Sequence, residues 1–560
     1  GGRIAVVGYT QDLFTGAWGG TGTLWRRSID NQVTISLASS DPERITSSNF
    51  TYNQIDLNSS TLTLEFEDSI YNDIFPDINL NSSTVYINAT NQNDLTFTNL
   101  TLNASQMIFD IAENSSISLT GTLLLQSSSN FSIPTNTSAE ISNFQSMSNS
   151  VFKVFQDANI AINQVNIDGS KLYNSGNLSI EQLYFKAACL YNQGMLSIPD
   201  FNAENIITST VYNYETASLE IASNRVILGE SVYLYEDGDI HGKGENPDIL
   251  DSMTLLSGSY LTHSQGNLSG LSFEIKTLLD VQSGSQINVT GQGYKGGQYN
   301  SEIGTRSLYG QTKGVNAVGT TVGGATGASG GTYGGNGSTY NGNTNTTYGS
   351  LYYPSDLGSG GSINGNVHIS YYGGNGGGKI HIIANDMMIN GLITSQGQQA
   401  TYATYNTSYY AGGGSGGSVL LELTGGTFSG TGTIQAPGGS GYRSGGGGRI
   451  AVIGFTQDDF TGTWGETGTL WFTENVTPKI VLSLEPSYTE GEQILFNARL
   501  VDPDENDTHT IVWNFGDGTT AIDVLSFAHT YTDNGVYDVS ITVTDSEGAV
   551  GEDNQSLTII

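Results

Sequence analysis

Short runs of alternating apolar and polar residues recur along most of this chain. Thr61-Leu62-Thr63-Leu64-Glu65-Phe66, Thr84-Val85-Tyr86-Ile87, Leu95-Thr96-Phe97 and Ser116-Ile117-Ser118-Leu119 are spaced by Asn-, Ser- and Asp-rich turns. A period of two marks a strand with one face buried. No amphipathic helix of useful length interrupts the pattern. Further along, the strands are framed by glycine. Gly376-Gly377-Gly378 precedes Lys379-Ile380-His381-Ile382-Ile383, and Gly416-Gly417 precedes Ser418-Val419-Leu420-Leu421-Glu422-Leu423. Each unit reads as an alternating strand, a turn, a second short strand and a glycine-rich loop. Regular coils of short strands predict a parallel β-helix.

A longer repeat lies over this one. Gly2 to Trp25 and Gly448 to Trp471 are identical at 19 of 24 positions, at an offset of 446 residues. The copy at the start reads as the terminal coil of a preceding module; the alternative is a single domain that has duplicated its terminal coil. The expected organisation is therefore residues 1–27 as that coil, 28–285 as an irregular, sequon-rich β-helix, 286–477 as glycine-rich β-helix coils, and 478–560 as a separate sandwich. The coils of about residues 280–472 resemble those of large extracellular adhesin-like and surface-fibre proteins.

After Pro478 the pattern changes. Trp513-Asn514-Phe515-Gly516-Asp517-Gly518-Thr519, His529-Thr530-Tyr531 and Gly535-Val536-Tyr537-Asp538-Val539-Ser540-Ile541-Thr542-Val543 follow. This stretch resembles the polycystic-kidney-disease (PKD) repeat domain. The resemblance implies an immunoglobulin-like β-sandwich that serves as a spacer or interaction module and carries no catalytic residues. Trp513, Phe515, Val536, Val539, Ile541 and Val543 are expected on its inter-sheet core. The fold class expected for the whole chain is all-β, a right-handed parallel β-helix followed by an immunoglobulin-like β-sandwich.

Charge narrows the partners. The chain carries 53 acidic and 18 basic residues, a net charge of −35. Such a field repels nucleic-acid phosphates and anionic membranes, and attracts divalent cations. No run of 18 apolar residues is present to span a bilayer. Cys189 is the single cysteine, and its apolar neighbours Ala187, Ala188 and Leu190 predict a buried, inert thiol.

Asn-x-Ser/Thr sequons stand at Asn49, Asn58, Asn81, Asn88, Asn99, Asn103, Asn114, Asn130, Asn136, Asn177, Asn267, Asn288, Asn336, Asn345, Asn406, Asn475, Asn506 and Asn554. Nine of them crowd between Asn49 and Asn136. An occupied sequon needs an exposed site in the secretory pathway, so the expectation is N-linked glycans on an extracellular, cell-surface protein.

Other chemistry is sparse. Asp502, Asp504 and Asp507, with Glu505, form an acidic loop whose oxygens suit a structural calcium ion; no other cofactor is expected. Glu236-Asp237-Gly238-Asp239-Ile240-His241-Gly242-Lys243 is the strongest enzymatic candidate, because paired carboxylates serve as acid and base. The basic residues that would hold a uronic-acid substrate are scarce there. Fifteen of the 30 tyrosines lie between 290 and 445. Their pairs, Tyr352-Tyr353, Tyr371-Tyr372 and Tyr409-Tyr410, offer flat apolar area with a polar tip for sugars or a neighbouring protomer.

Together these features predict a non-enzymatic structural glycoprotein that self-associates into an extracellular filament of repeating β-helix/PKD modules. The first alternative is a carbohydrate-binding cell-surface adhesin. The second is a polysaccharide-degrading enzyme acting through Asp237 and Asp239.

Overall fold

The computed structural model describes the chain apart from residues 1–2, 10–22, 29–32, 38–42, 47–53, 60, 66–73, 76, 90–93, 246–247, 301–304, 314–323, 365–370, 402–409, 467, 475–477, 483–486, 503–507 and 547. The described residues form strands and turns with no helix. They divide into two compact units, Gly1–Ser264 with Gly284–Ile287, and Gln265–Ser283 with Asn288–Ile560.

Through most of the first unit successive coils add strands to two sheets of mainly parallel strands, and Arg225–Leu228 and Ile249–Leu255 pair in a third. Ser138–Met147, Asn159–Asp168 and Asn177–Lys186 pair in register on one side, and Val151–Val154, Lys171–Asn174 and Cys189–Asn192 on the other. The longer strands show two adjacent outward residues at their midpoint, such as Asn163 and Gln164, where the side-chain alternation shifts phase. Register then stacks like on like. Ile117, Ala139, Ile160, Leu178 and Leu196 form one inward column, and all five are buried. Each large apolar side chain so enclosed stabilises the fold by about 1.5–3 kcal/mol.

The corners repeat as well. Ser82, Ala104, Ser128, Asn149, Gly169 and Ala187 all adopt positive φ, and each passes its N–H to a carbonyl of the next coil. The residue after the corner is typically a buried serine. Ser83, Ser105 and Ser129 turn each Oγ back onto a carbonyl of their own corner, and Oγ of Ser105 and Ser129 accepts the N–H of the serine one coil earlier.

In the second unit Lys379–Ile389, Ser418–Leu423, Arg449–Phe455 and Thr469–Glu474 form a parallel sheet. The long sequence repeat is also a structural one. Arg3–Tyr9 pairs with Thr23–Ser28 through Arg3↔Thr23 and Ala5↔Trp25, and the later copy pairs through Arg449↔Thr469 and Ala451↔Trp471.

The described glycine-rich stretches depart from expectation, since they bond to one another in a regular array rather than forming loops between coils. Along 412–417 successive N–H groups address three different neighbours in rotation. Gly412 and Ser415 donate to Ser362 and Ser359; Gly413 and Gly416 to Arg443 and Gly446; Gly414 and Gly417 to Gln398 and Ser395. A period of three is that of an extended polyproline II-type helix, which has no internal hydrogen bonds and offers its amides sideways. Glycine is required because the chains touch backbone to backbone. A Cβ on Gly414 would lie 1.9 Å from the Asn375 carbonyl oxygen, and one on Gly376 1.8 Å from that of Gly358.

The C-terminal strands form a sandwich. Lys479–Leu482, Gln493–Val501 and Ser526–Thr530 make one layer. Thr510–Asn514, Thr520–Ile522, Gly535–Thr544 and Val550–Ile559 make the other, with Ser487–Tyr488 at its edge. Trp513, Phe515, Val539, Ile541 and Val543 are in the core as expected. Val536 is not, being 70% exposed. Along Gly535–Thr544 the odd-numbered positions face inward, so Tyr537 packs on the core in its place.

Candidate functional site

The acidic stretch at 236–243 is built from the end of an internal ladder. Four strands in successive coils read Lys171-Leu172-Tyr173-Asn174, Cys189-Leu190-Tyr191-Asn192, Thr210-Val211-Tyr212-Asn213 and Tyr233-Leu234-Tyr235-Glu236, and they pair residue for residue. The second and fourth positions point inward. Asn174 Nδ2 donates to Asn192 Oδ1 (2.8 Å), Asn192 Nδ2 to Asn213 Oδ1 (2.8 Å), and Asn213 Nδ2 to Glu236 Oε1 (2.9 Å). Each amide also donates to a backbone carbonyl, of Met195, Ser218 and Asp239 in turn. Burial holds the Glu236 carboxyl well above the usual carboxylate range, against the lowering effect of the Asn213 bond. Its Oε2 is enclosed and has no hydrogen-bond partner among the described residues.

Glu236 is therefore part of the interior. Its neighbours also hold the local fold: Asp237 Oδ1 accepts the Ser264 N–H at 2.6 Å, and Asp239 Oδ1 accepts that of Asp248 at 2.9 Å and meets His241 Nδ1 at 3.1 Å. Burial, then the Asp239 charge, pushes Asp248 up to about 6.

The third positions of the same strands carry a tyrosine stack that the clustering of tyrosines after residue 290 concealed. Tyr173–Tyr191, Tyr191–Tyr212 and Tyr212–Tyr235 lie with ring centroids 4.5, 5.0 and 4.6 Å apart, within 21° of parallel. Their faces cover one another, so the stack staples coils and presents edges to solvent. Its sequence signal is the recurrence of apolar-Tyr-Asn at 172–174, 190–192 and 211–213. Cys189 occupies an outward first position and is half-buried, not enclosed as expected. Leu190 beside it takes the inward place.

The structure separates the members of the tyrosine pairs. Tyr353 packs against the buried Leu420, Ala451 and Ile453, while Tyr352 meets Trp471 edge to face at 4.6 Å. Tyr371 lies in a strand opposite Tyr299, its side chain outside the described residues, and Tyr372 is exposed. Tyr409 lies outside the described residues. Tyr410 joins a cluster drawn from three segments: its ring lies 4.9 Å from Tyr340 and 3.8 Å from Tyr442, and Tyr340 lies 4.8 Å from Tyr442. The Arg443 guanidinium sits 5.7 Å from the Tyr340 ring and 5.3 Å from that of Tyr442. Arg443 Nε is shielded and has no hydrogen-bond partner among the described residues. Glycine-bundle hydrogen bonds fix this arrangement: Tyr442 donates its N–H to Ala411, and Gly413 donates to Arg443.

The sequons sort by environment. Asn81, Asn114, Asn130, Asn136, Asn177, Asn336 and Asn554 are exposed; Asn99, Asn103, Asn267 and Asn288 are half-buried. Asn58 and Asn88 lie in strands Gln54–Asn58 and Thr84–Ala89. Asn49, Asn406, Asn475 and Asn506 lie outside the described residues. Asn345 departs from the expected exposed acceptor. It is 6% exposed, and its Nδ2 donates to the Thr332 carbonyl at 2.7 Å and that of Thr346 at 3.0 Å. At Asn81 and Asn103 the motif doubles as a corner: the middle residue takes positive φ, and the serine hydroxyl bonds back to the asparagine's own carbonyl at 2.7 Å. Part of the sequon crowding is thus corner chemistry.

Among the described residues no group of three or more His, Cys, Asp or Glu side chains is arranged to hold a metal. Asp504 and Asp507 of the expected calcium loop lie outside the described residues. Asp502 Oδ2 is paired with His509 Nε2 at 2.7 Å. In the sandwich, Asp517 bonds His529 at 2.7 Å and Thr519 through both its N–H and its hydroxyl. Burial opposes the Asp517 charge, yet these bonds hold its carboxyl below the ordinary value.

Known proteins resemble the C-terminal part of the chain. The family model of the PKD domain matches residues 475–560. Over 86 residues the chain is 27% identical to Collagenase ColA of Clostridium perfringens (strain 13 / Type A), a match covering 15% of this chain and 8% of that protein's length. The PKD1 domain of Vibrio anguillarum Epp is 28% identical, with 15% of this chain and 96% of that chain covered at a TM-score of 0.14. The PKD1 domain of the Vibrio cholerae metalloprotease PrtV is 27% identical, covering 15% and 98% at a TM-score of 0.13. The chain therefore carries a PKD-like domain at residues 475–560, preceded in sequence by parallel, solenoid-type sheets.

Proposed function

We propose that this chain is a non-enzymatic, modular protein of the cell exterior that binds carbohydrate through the cluster of Tyr340, Tyr410, Tyr442 and Arg443. The arrangement of that cluster is the observation that supports the reading. Tyr340 meets both other rings edge to face, so the close pair of Tyr410 and Tyr442 is not continued into a column like that at Tyr173–Tyr235. Tyr442 is 41% exposed. Rigid aromatic surface beside a guanidinium offers stacking and charge-assisted hydrogen bonds to a sugar, at little entropic cost. The glycine bundle beneath supplies the rigidity.

The test is binding of the native chain to an immobilised glycan array, compared with Y442A and R443A. Retention of a glycan class by the native chain, with at least tenfold weaker retention by Y442A at unchanged circular dichroism, is the expected result. Equal retention by all three proteins would overturn the reading.

A second reading is favoured by the repeated strand pair, Arg3↔Thr23 and Arg449↔Thr469. Modules of one plan, joined end to end, would build an extracellular filament by self-association. Electron microscopy of native material decides it, filaments with a regular axial repeat supporting it and dispersed particles opposing it. Either reading carries N-linked glycans on exposed sequons.

A further inference from the structure

The first unit bears an open groove of about 580 Å³ on the outward face of one sheet. Its floor is two in-register columns. One runs through Ser116, Ser138, Asn159, Asn177, the exposed Met195 and Ser218; the other through Ser118, Glu140, Ala161, Ser179, Ser197 and Glu220, ending at His241. Small side chains at Ser116, Ser118, Ser138, Ala161, Ser179 and Ser197 leave the trough. No Lys or Arg lines it. Hydroxyls and amides there both donate and accept, and the two carboxylates accept. That chemistry suits a neutral, hydroxyl- and amide-bearing ligand and repels a polyanion. Phe, Tyr and Trp are absent from the lining, so a broad stacking platform for a foreign sugar is missing.

Three sequons open onto this groove. Asn177 and Ser179, the ends of one of them, both line it. Ser116 and Ser138, the third residues of the Asn114 and Asn136 sequons, line it too. Asn114 and Asn136 themselves stand on the corner just before the floor strands, exposed and at φ 62° and 52°. Adjacent coils are about 4.8 Å apart, close to the length of one sugar residue. Asn114 and Asn136 are adjacent, since the N–H of the first donates to the carbonyl of the second at 2.9 Å. Coils this close leave room for one glycan at this pair of sites. Asn177 lies two coils beyond Asn136. Its Nδ2 donates to Asn159 Oδ1 at 2.8 Å, and a glycosylated amide keeps the one hydrogen that this bond needs.

We propose that the groove seats the protein's own N-linked glycans, carried on Asn177 and on one of Asn114 and Asn136. The sugar lies along the floor, its N-acetyl and hydroxyl groups bonded to the serine and glutamate columns. It covers a sheet face that is otherwise open. The inference rests on reading the chain as a glycan-bearing exported protein.

Glycopeptide mass spectrometry of the native protein tests the occupancy, and carboxyl footprinting tests the seat. Glu140 and Glu220 lie in the groove, while exposed Glu181 lies outside its lining. Enzymatic removal of the glycans is expected to raise labelling of Glu140 and Glu220 severalfold, with Glu181 unchanged. The N177Q variant, folded by circular dichroism, is expected to show the rise at Glu220 and a smaller one at Glu140, which follows Asn136 in the chain and stays under the second glycan. Sugar absent from every sequon would overturn both the glycoprotein reading and this inference. Sugar at these sites with Glu140 and Glu220 labelled equally before and after its removal would overturn the seat alone.

Discussion

Asn213 Nδ2 donates to Glu236 Oε1 across 2.9 Å, and with that bond a ladder of buried side-chain amides ends in a carboxyl group. Asn174, Asn192 and Asn213 each donate twice, once to the next rung and once to the backbone. Glu236 accepts the final bond and the Gly238 N–H on one oxygen, and leaves the other enclosed. A solenoid interior that includes polar side chains must satisfy them coil by coil, because an orphaned buried group costs about 1–3 kcal/mol.

The carboxyl end makes stability depend on pH. Burial raises the folded pKa of Glu236 above its unfolded value. Its contribution is therefore intact below about pH 4.3, where free glutamate titrates, and is lost as pH rises through the raised folded pKa. Glu236→Asn supplies an amide like the other rungs and removes the charge. Thermal melts across pH 4 to 8 are expected to fall less steeply for the variant than for the parent. Identical slopes would show that Glu236 does not titrate on unfolding.

Asn192 sits in mid-ladder, so its removal takes a bond from Asn174, Asn213 and the Ser218 carbonyl at once. Asn192→Ala is expected to cost about 3 kcal/mol, from the stranded Asn174 donor and Asn213 acceptor together with the cavity left behind. Urea denaturation reads the loss; a change under about 0.5 kcal/mol would mean that water fills the gap.

The glycine bundle makes a steric prediction. Gly414→Ala places a Cβ 1.9 Å from the Asn375 carbonyl oxygen. Neither backbone has room to yield, and a loss of about 3 kcal/mol is expected. Hydrogen exchange should then rise across 359–362, 395–398 and 443–446, the segments bonded to 412–417. Exchange confined to residue 414 would argue against a cooperative bundle.

Acid should act on the sandwich through Asp517. Its folded pKa is depressed below the free value by hydrogen bonds from Thr519 and His529. The stabilisation is present above about pH 3.9, where free aspartate titrates, and is lost as pH falls through the folded pKa. Asp517→Asn is expected to lower the melting temperature at pH 7 and to flatten its dependence below pH 4. Trp513, buried in the sandwich core, provides the fluorescence signal.

The amino-acid sequence by itself determined the strands, the repeat and the sandwich. Period-two alternation at Thr84–Ile87 or Ser116–Leu119 has one low-energy solution on a half-buried sheet, and Trp513 and Phe515 fall inward for the same reason. The copied coil showed in identity alone and pairs in the same register twice. What neighbouring coils do to each other was decided by tertiary structure. Rungs such as Ser138, Asn159 and Asn177 are in register although their spacings are unequal, so no fixed period reveals that Asn174, Asn192, Asn213 and Glu236 share a column. Parity at one strand put Val536 outside and Tyr537 inside. Glycine content signalled close backbone approach, but the threefold rotation of hydrogen bonds along 412–417 depends on segments brought from 359, 395 and 443. The tyrosine cluster has the same origin: Tyr340, Tyr410 and Tyr442 are far apart in sequence and meet only because the bundle sets their backbones side by side.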